Sequence, residues 1–171
     1  MKETLEIINQ MQADGVIGEY AIGGAVGATF YLAPAATVDL DLFVALPGDT
    51  GSLVSLAPIY EYLKSLGCVE QDEYIVVKDW PVQFLTGKEL QKEALANAVS
   101  TNVEGVPTRV LSAEHLVAIA LETGRAKDHT RMLQFFEQRA VDREKLRDIV
   151  GRHGLSAKWN QFEQRFLKGP Q

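Results

Sequence analysis

Thr37-Val38-Asp39-Leu40-Asp41-Leu42-Phe43-Val44-Ala45-Leu46 reads as a buried β-strand, Val38 to Leu46, that carries two acids one residue apart. Side chains on a strand alternate between faces, so both carboxylates project to one side while Val38, Leu40 and Leu42 point to the other. Two unpartnered carboxylates that close repel each other and are costly to bury. A divalent cation resolves both problems, which makes Asp39 and Asp41 candidate metal ligands. The alternative is a solvated edge strand whose polar face happens to hold two acids.

Upstream, Tyr20-Ala21-Ile22 is a short apolar strand, Gly23-Gly24 a sharp turn, and Ala25 to Leu32 a short helix stopped by Pro34. Glycines at such a turn let backbone N–H groups approach phosphate oxygens, and the positive end of the following helix favours negative charge. Thr37 adds a hydroxyl beside the acids. Mg²⁺ takes hard oxygen ligands, commonly a couple of carboxylates plus phosphates and water, and Mn²⁺ accepts the same set. Gly23, Gly24, Thr37, Asp39 and Asp41 thus sketch a site for a metal-bound nucleoside triphosphate.

A strand, a glycine turn, a helix and a strand with acids also outline a dinucleotide-binding unit. That alternative fails because Gly23-Gly24-Ala25-Val26-Gly27 is not G-x-G-x-x-G. The acids also lie early in the second strand, where a ribose-binding acid belongs at the end. No G-x-x-x-x-G-K-[ST] loop and no G-x-S-x-G turn occurs. His115, His129 and His153 show no zinc spacing, and the lone Cys68 reads as a small buried residue at a helix end.

The 171 residues, 46% of them hydrophobic, suffice for one domain or a domain with a helical appendage. The acidic start, Met1-Lys2-Glu3-Thr4-Leu5-Glu6, lacks the basic and apolar character of a signal peptide, and no apolar run approaches the roughly 20 residues of a membrane span. The expectation is a cytoplasmic protein with no membrane partner. A net charge of -6 and a pI near 5.1 argue against broad duplex DNA binding.

Along the chain, Leu5, Ile8 and Met11 predict a first helix closed at Asp14-Gly15. Ser52 is a candidate cap for a helix running to Leu66. Glu73 to Val77 and Trp80 to Leu85 predict a hairpin around Lys78-Asp79, Lys88 to Ala98 a helix, and Asn102 to Leu111 two extended pieces around Glu104-Gly105. From Ser112 onward every segment reads as helical, with caps at Ser112, Asp142 and Ser156. Phe135, Phe136, Trp159, Phe162 and Phe166 form an apolar stripe better suited to packing than to base stacking. The fold class expected is α/β (α+β), a mixed sheet with packed helices over residues 1–111 followed by an α-helical region over 112–171.

The series Ala21-Ile22-Gly23-Gly24-Ala25, Tyr31, Thr37 and Val38-Asp39-Leu40-Asp41-Leu42 resembles the minimal and abortive-infection (AbiEii-like) nucleotidyltransferases. Trp80-Pro81-Val82-Gln83-Phe84-Leu85 is similar to the strand carrying that family's third carboxylate. Gly124-Arg125-Ala126-Lys127-Asp128-His129 to Arg131 is similar to a downstream helix start, and most of residues 19–138 can be aligned. The resemblance implies Mg²⁺-dependent transfer of an NMP from an NTP to an acceptor that is protein, tRNA or another RNA, or a small molecule, with Lys127 or Arg131 against phosphate. Asp128 and Arg131 can otherwise form a surface pair.

This chain departs from the pattern at Gln83, which stands where the third acid is expected, and at Ala35, where a basic residue is common. A glutamine offers a neutral carbonyl oxygen but cannot act as a general base. Asp79 and Glu73 are the nearest acids before it in sequence. A catalytically degenerate nucleotide sensor, or a toxin–antitoxin interaction module that keeps the fold, is the competing expectation.

Overall fold

The computed structural model describes residues 1–34, 37, 39–48 and 55–168, so Val38, Ala35 and the expected Ser52 cap lie outside the described residues. The chain begins with α1 (Lys2–Ala13), β1 (Tyr20–Ile22), α2 (Gly24–Ala28) and β2 (Leu40–Val44). It continues through α3 (Ala57–Ser65), β3 (Val69–Gln71), β4 (Tyr74–Val77), β5 (Trp80–Leu85), α4 (Glu89–Ala96), β6 (Val99–Val103) and β7 (Val106–Val110). Helices α5 (Ala113–Thr123), α6 (Ala126–Glu137), α7 (Arg143–Arg152) and α8 (Ser156–Phe162) follow, the last running into a π-helical turn at Glu163–Leu167.

The sheet is mixed, with order β3-β4-β5-β2-β1-β7-β6. Its centre is the antiparallel pair β1–β2, flanked by parallel β5 beside β2 and parallel β7 beside β1. Three hairpins complete it. The β6–β7 turn places Glu104 and Gly105 at φ 52 and 87, the positive values that a two-residue hairpin loop demands. The expected β4–β5 hairpin forms without a glycine, because Lys78 itself adopts φ 57.

Strand alternation sorts the core into two layers. Leu40, Leu42 and Val44 of β2 join Leu5, Ile8 and Met11 of α1 and Ile59 and Leu63 of α3 on one face. Ala21 and Phe43 turn to the other face, where α4 and α5–α8 cover them. The aromatic stripe belongs to that second core: Phe135, Phe136, Trp159 and Phe162 are buried, with Phe166 packed against them. The C-terminal helices therefore share one apolar core with the sheet.

Several expected boundaries move. The acid-bearing strand is Leu40–Val44, shorter than Val38 to Leu46, and Asp39 precedes it. Helix α3 begins at Ala57, with Pro58, which lacks an N–H and suits only a first turn, just inside its start. Helix α2 starts at Gly24 and ends its regular part at Ala28, with turns continuing to Leu32. Ser156 is the first residue of α8, whose cap is Leu155, whereas Ser112 and Asp142 cap α5 and α7 as expected. The short edge strand β3 and the start of β6 at Val99 carry no strong periodic signal, since both are mostly exposed. Cys68 is only partly buried.

Candidate active site

The site opens on the α4/α5 side of the sheet, as a cavity of about 1010 Å³. That is the upper end of the range for small-molecule sites, roughly 300–1,000 Å³. Asp39 and Asp41 both line it, so the two carboxylates share a face even though only Asp41 lies within the regular strand. In the parallel β2–β5 register Asp41 sits opposite Gln83, which lines the same cavity. Residues aligned on neighbouring strands project to the same side, so Gln83 faces the cavity beside Asp41.

The turn before α2 abuts the acids directly. Gly24 adopts φ 56, and a β-carbon there would fall 1.8 Å from Asp41 Oδ2, so glycine is required by both conformation and space. Gly24 and Ala25 line the cavity. Gly23 serves another purpose: its N–H donates to the Asp41 carbonyl at 2.9 Å, and a β-carbon there would collide with Phe43. With five residues, α2 has only a small macrodipole, so any anion held here would be held mainly by backbone N–H groups.

Asp39 is oriented from two sides. Thr37 Oγ1 donates to Asp39 Oδ1 at 3.2 Å, and the Tyr74 hydroxyl donates to Asp39 Oδ2 at 3.4 Å. Burial, and then the charge of Asp39, push the Asp41 carboxyl above its ordinary pKa, while Arg125, Arg131 and Lys127 pull it back. Those cations arrive from the α5–α6 corner, where Gly124 at φ 71 ends one helix and Arg125 caps the next.

All three cations line the cavity with Asp128. Asp128 is not the surface residue that its spacing with Arg131 suggests. Its side chain is 1% exposed and receives Arg125 Nε at 2.8 Å and Nη2 at 3.2 Å, with Arg131 Nη1 at 4.0 Å. Arg125 belongs to the stretch quoted above, but spacing alone did not mark it as a site residue. Tyr74, Lys88, Gln91 and Glu122 likewise enter the lining only through the tertiary structure. Of the two nearest acids that precede Gln83 in sequence, Glu73 lines the cavity and Asp79 is absent from its lining.

Asp39 and Asp41 offer hard oxygen donors on one wall and leave the remaining positions to solvent or ligand, which fits a Mg²⁺ or Mn²⁺ ion completed by phosphate and water. No group of three or more His, Cys, Asp or Glu suited to a metal occurs among the described residues. His115 and His153, dispersed in sequence, converge on Glu93, while the His129 ring lies tilted against both Phe162 and Phe166.

The architecture is the nucleotidyltransferase-like fold: a mixed sheet with packed helices and a helical C-terminal region. Among solved structures, the chain is similar to an antigenic nucleotidyltransferase-like protein from Paracoccidioides brasiliensis, at 14% identity and a TM-score of 0.56, covering 80% of this chain and 75% of that one. It is also similar to the antibiotic-resistance factor ANT(2'')-Ia in solution, at 16% identity and a TM-score of 0.53, covering 94% of each chain. The crystal structure of ANT(2'')-Ia with adenylyl-2''-tobramycin aligns at 15% identity and a TM-score of 0.53, over 93% of this chain and 99% of that one. At these identities the likeness establishes the fold. No protein-family model matches the sequence, and no curated protein matches it. Among the described residues, no helix is long and apolar enough to cross a membrane.

Proposed function

We propose that the chain is a divalent-metal-dependent nucleotidyltransferase, of the minimal or abortive-infection type, that moves an NMP from an NTP to an acceptor. The observation that carries this reading is the shared cavity wall of Asp39 and Asp41 with Gly24 packed against Asp41. Asp39 and Asp41 would hold Mg²⁺, or Mn²⁺ in its place, and the ion when bound would offset phosphate charge and polarise the transferred phosphoryl group. Thr37 and Tyr74 fix the Asp39 carboxylate. Gly24, Lys127 and Arg131 hold the polyphosphate, with Gly23 shaping the turn behind it. Gln83 contributes only a neutral oxygen, so Glu73, which lines the cavity, would take the acceptor's proton.

The cavity exceeds what a nucleotide needs, which supports an acceptor bound beside it. The adenylyl-2''-tobramycin seen with ANT(2'')-Ia supports a small-molecule acceptor alongside protein and tRNA. We read residues 1–111 as the catalytic core and 112–171 as the helical region that brings the cations to it. The test is transfer of label from each NTP, with Mg²⁺ or Mn²⁺, to the protein itself, to water or to a cellular fraction. Asp39→Asn combined with Asp41→Asn should abolish it; unchanged metal-dependent turnover in that variant would remove the assignment.

Gln83 opposite Asp41 favours a second reading, a sensor or toxin–antitoxin module that binds nucleotide without turning it over. Gain of NMP transfer only in Gln83→Asp supports that reading, and robust transfer by the unsubstituted chain eliminates it.

A further inference from the structure

A site that clamps both the attacking and leaving oxygens with two metal ions needs a third carboxylate or its equivalent to hold the second ion. This chain sets the neutral Gln83 opposite Asp41, and its described residues form no three-membered metal-ligand group. One divalent cation leaves much of a triphosphate's charge uncompensated. The cavity supplies positive charge in another form.

Arg125 reaches the same cavity as Asp39 and Asp41, and its guanidinium is fixed in place. Its Nε donates to Asp128 Oδ2 at 2.8 Å and its Nη2 to Asp128 Oδ1 at 3.2 Å, while its backbone N–H donates to the same Oδ2 at 3.2 Å. Asp128 is 1% exposed and Arg125 57% exposed, so the buried end of the pair is anchored and the guanidinium faces outward. An arginine carries five N–H donors in a rigid fork, and only part of that fork is committed to Asp128. Among the described residues the rest has no hydrogen-bond partner, which leaves it to phosphate oxygens, and these bind arginine well in bidentate geometry. The anchoring also lowers the entropy lost when a ligand is engaged.

Resting on the nucleotidyl-transfer reading above, we propose that this is a single-cation site. Arg125, held by the buried positioning residue Asp128, supplies beside the Asp39–Asp41 ion the positive charge that a second metal would otherwise bring. The guanidinium and the acid pair line one cavity, so both face the same ligand.

The test counts metal ions. Mn²⁺ is titrated into the full chain with each of the four α,β-methylene NTPs and followed by electron paramagnetic resonance and calorimetry. The expected result is one Mn²⁺ per ternary complex in the unsubstituted protein and two in Gln83→Asp. Arg125→Gln, which keeps an N–H for Asp128, should weaken the NTP analogue about tenfold or more with the single Mn²⁺ retained. Asp128→Asn should reproduce part of that loss with a preserved circular-dichroism melt. Two Mn²⁺ in the unsubstituted chain, or unaltered analogue affinity in Arg125→Gln, overturns the single-cation site and leaves the nucleotidyl-transfer reading standing. A chain that binds neither Mn²⁺ nor any of the four analogues overturns both.

Discussion

Gly24 and Asp41 occupy one another's space: a β-carbon on Gly24 would lie 1.8 Å from Asp41 Oδ2 and 2.7 Å from its Cγ. The turn that opens α2 and the acid in the middle of β2 are thus built against each other. Gly24→Ala would force the Asp41 carboxylate aside and strain a backbone at φ 56. We expect a loss of about 1–3 kcal/mol from the backbone alone, together with loss of Mn²⁺ binding. Thermal denaturation and Mn²⁺ titration of the same variant check both.

Asp41 illustrates a site held ready at a cost to stability. Its pKa is raised by burial and by Asp39, so the folded state holds the proton more tightly than the unfolded chain does, and its contribution to stability grows as pH falls through the folded pKa. Asp41→Asn should therefore raise the melting temperature of the metal-free protein at neutral pH, by about 2–4 °C for each kcal/mol of relieved repulsion and burial. The same variant should lose the stabilisation that Mn²⁺ gives the unsubstituted protein. A lower melting temperature would mean that Asp41 is structurally required rather than strained.

Glu93 is the opposite case. Arg152 at 2.6 Å, His153 at 2.7 Å and His115 at 3.3 Å gather around its carboxylate, tying α4 to α5 and α7. The hydrogen bond from Arg152 leads in lowering its pKa to about 2 from 4.5. A lowered carboxylate pKa gives stability that is complete above 4.5 and is lost as pH falls toward 2. Glu93→Gln should lower the melting temperature at neutral pH, with the difference from the unsubstituted protein shrinking between these values.

The same window has a companion at higher pH. Burial lowers the pKa of His115 below the ordinary histidine value of 6.5, so the unfolded chain takes up its proton first and stability declines as pH falls below that value. His115→Gln should flatten this part of the stability profile. Melting curves collected every half unit from neutral to acid pH separate the two contributions.

Phe135 is 1% exposed in the core shared by the sheet and the C-terminal helices. Phe135→Ala should cost about 3–5 kcal/mol. Because α6 also carries Lys127 and Arg131, the variant should lose affinity for NTP in parallel with stability, which calorimetry below the lowered melting temperature would detect.

Elements with strong local signals were legible in the sequence. The spacing of Leu5, Ile8 and Met11, the Ser112 and Asp142 caps and the Glu104-Gly105 turn are governed by interactions within a few residues, and they appear where the local chemistry puts them. Weak elements were not: β3 is exposed along its whole length, so no hydrophobic period marks it. The start of α3 at Ala57 accords with Pro58 in its first turn.

By itself the sequence determined the character of the candidate site: two acids one residue apart after a Gly-Gly turn. These are properties of residue type and spacing, which strand alternation converts directly into a shared face. Only the tertiary structure decided which distant groups meet them. The β2–β5 register set Gln83 opposite Asp41, the α5–α6 corner brought Arg125 to the cavity, and the core buried Asp128 beneath it. The reason is physical: strand register and helix packing are settled by burying apolar surface across the whole chain, and no window of local sequence contains that information.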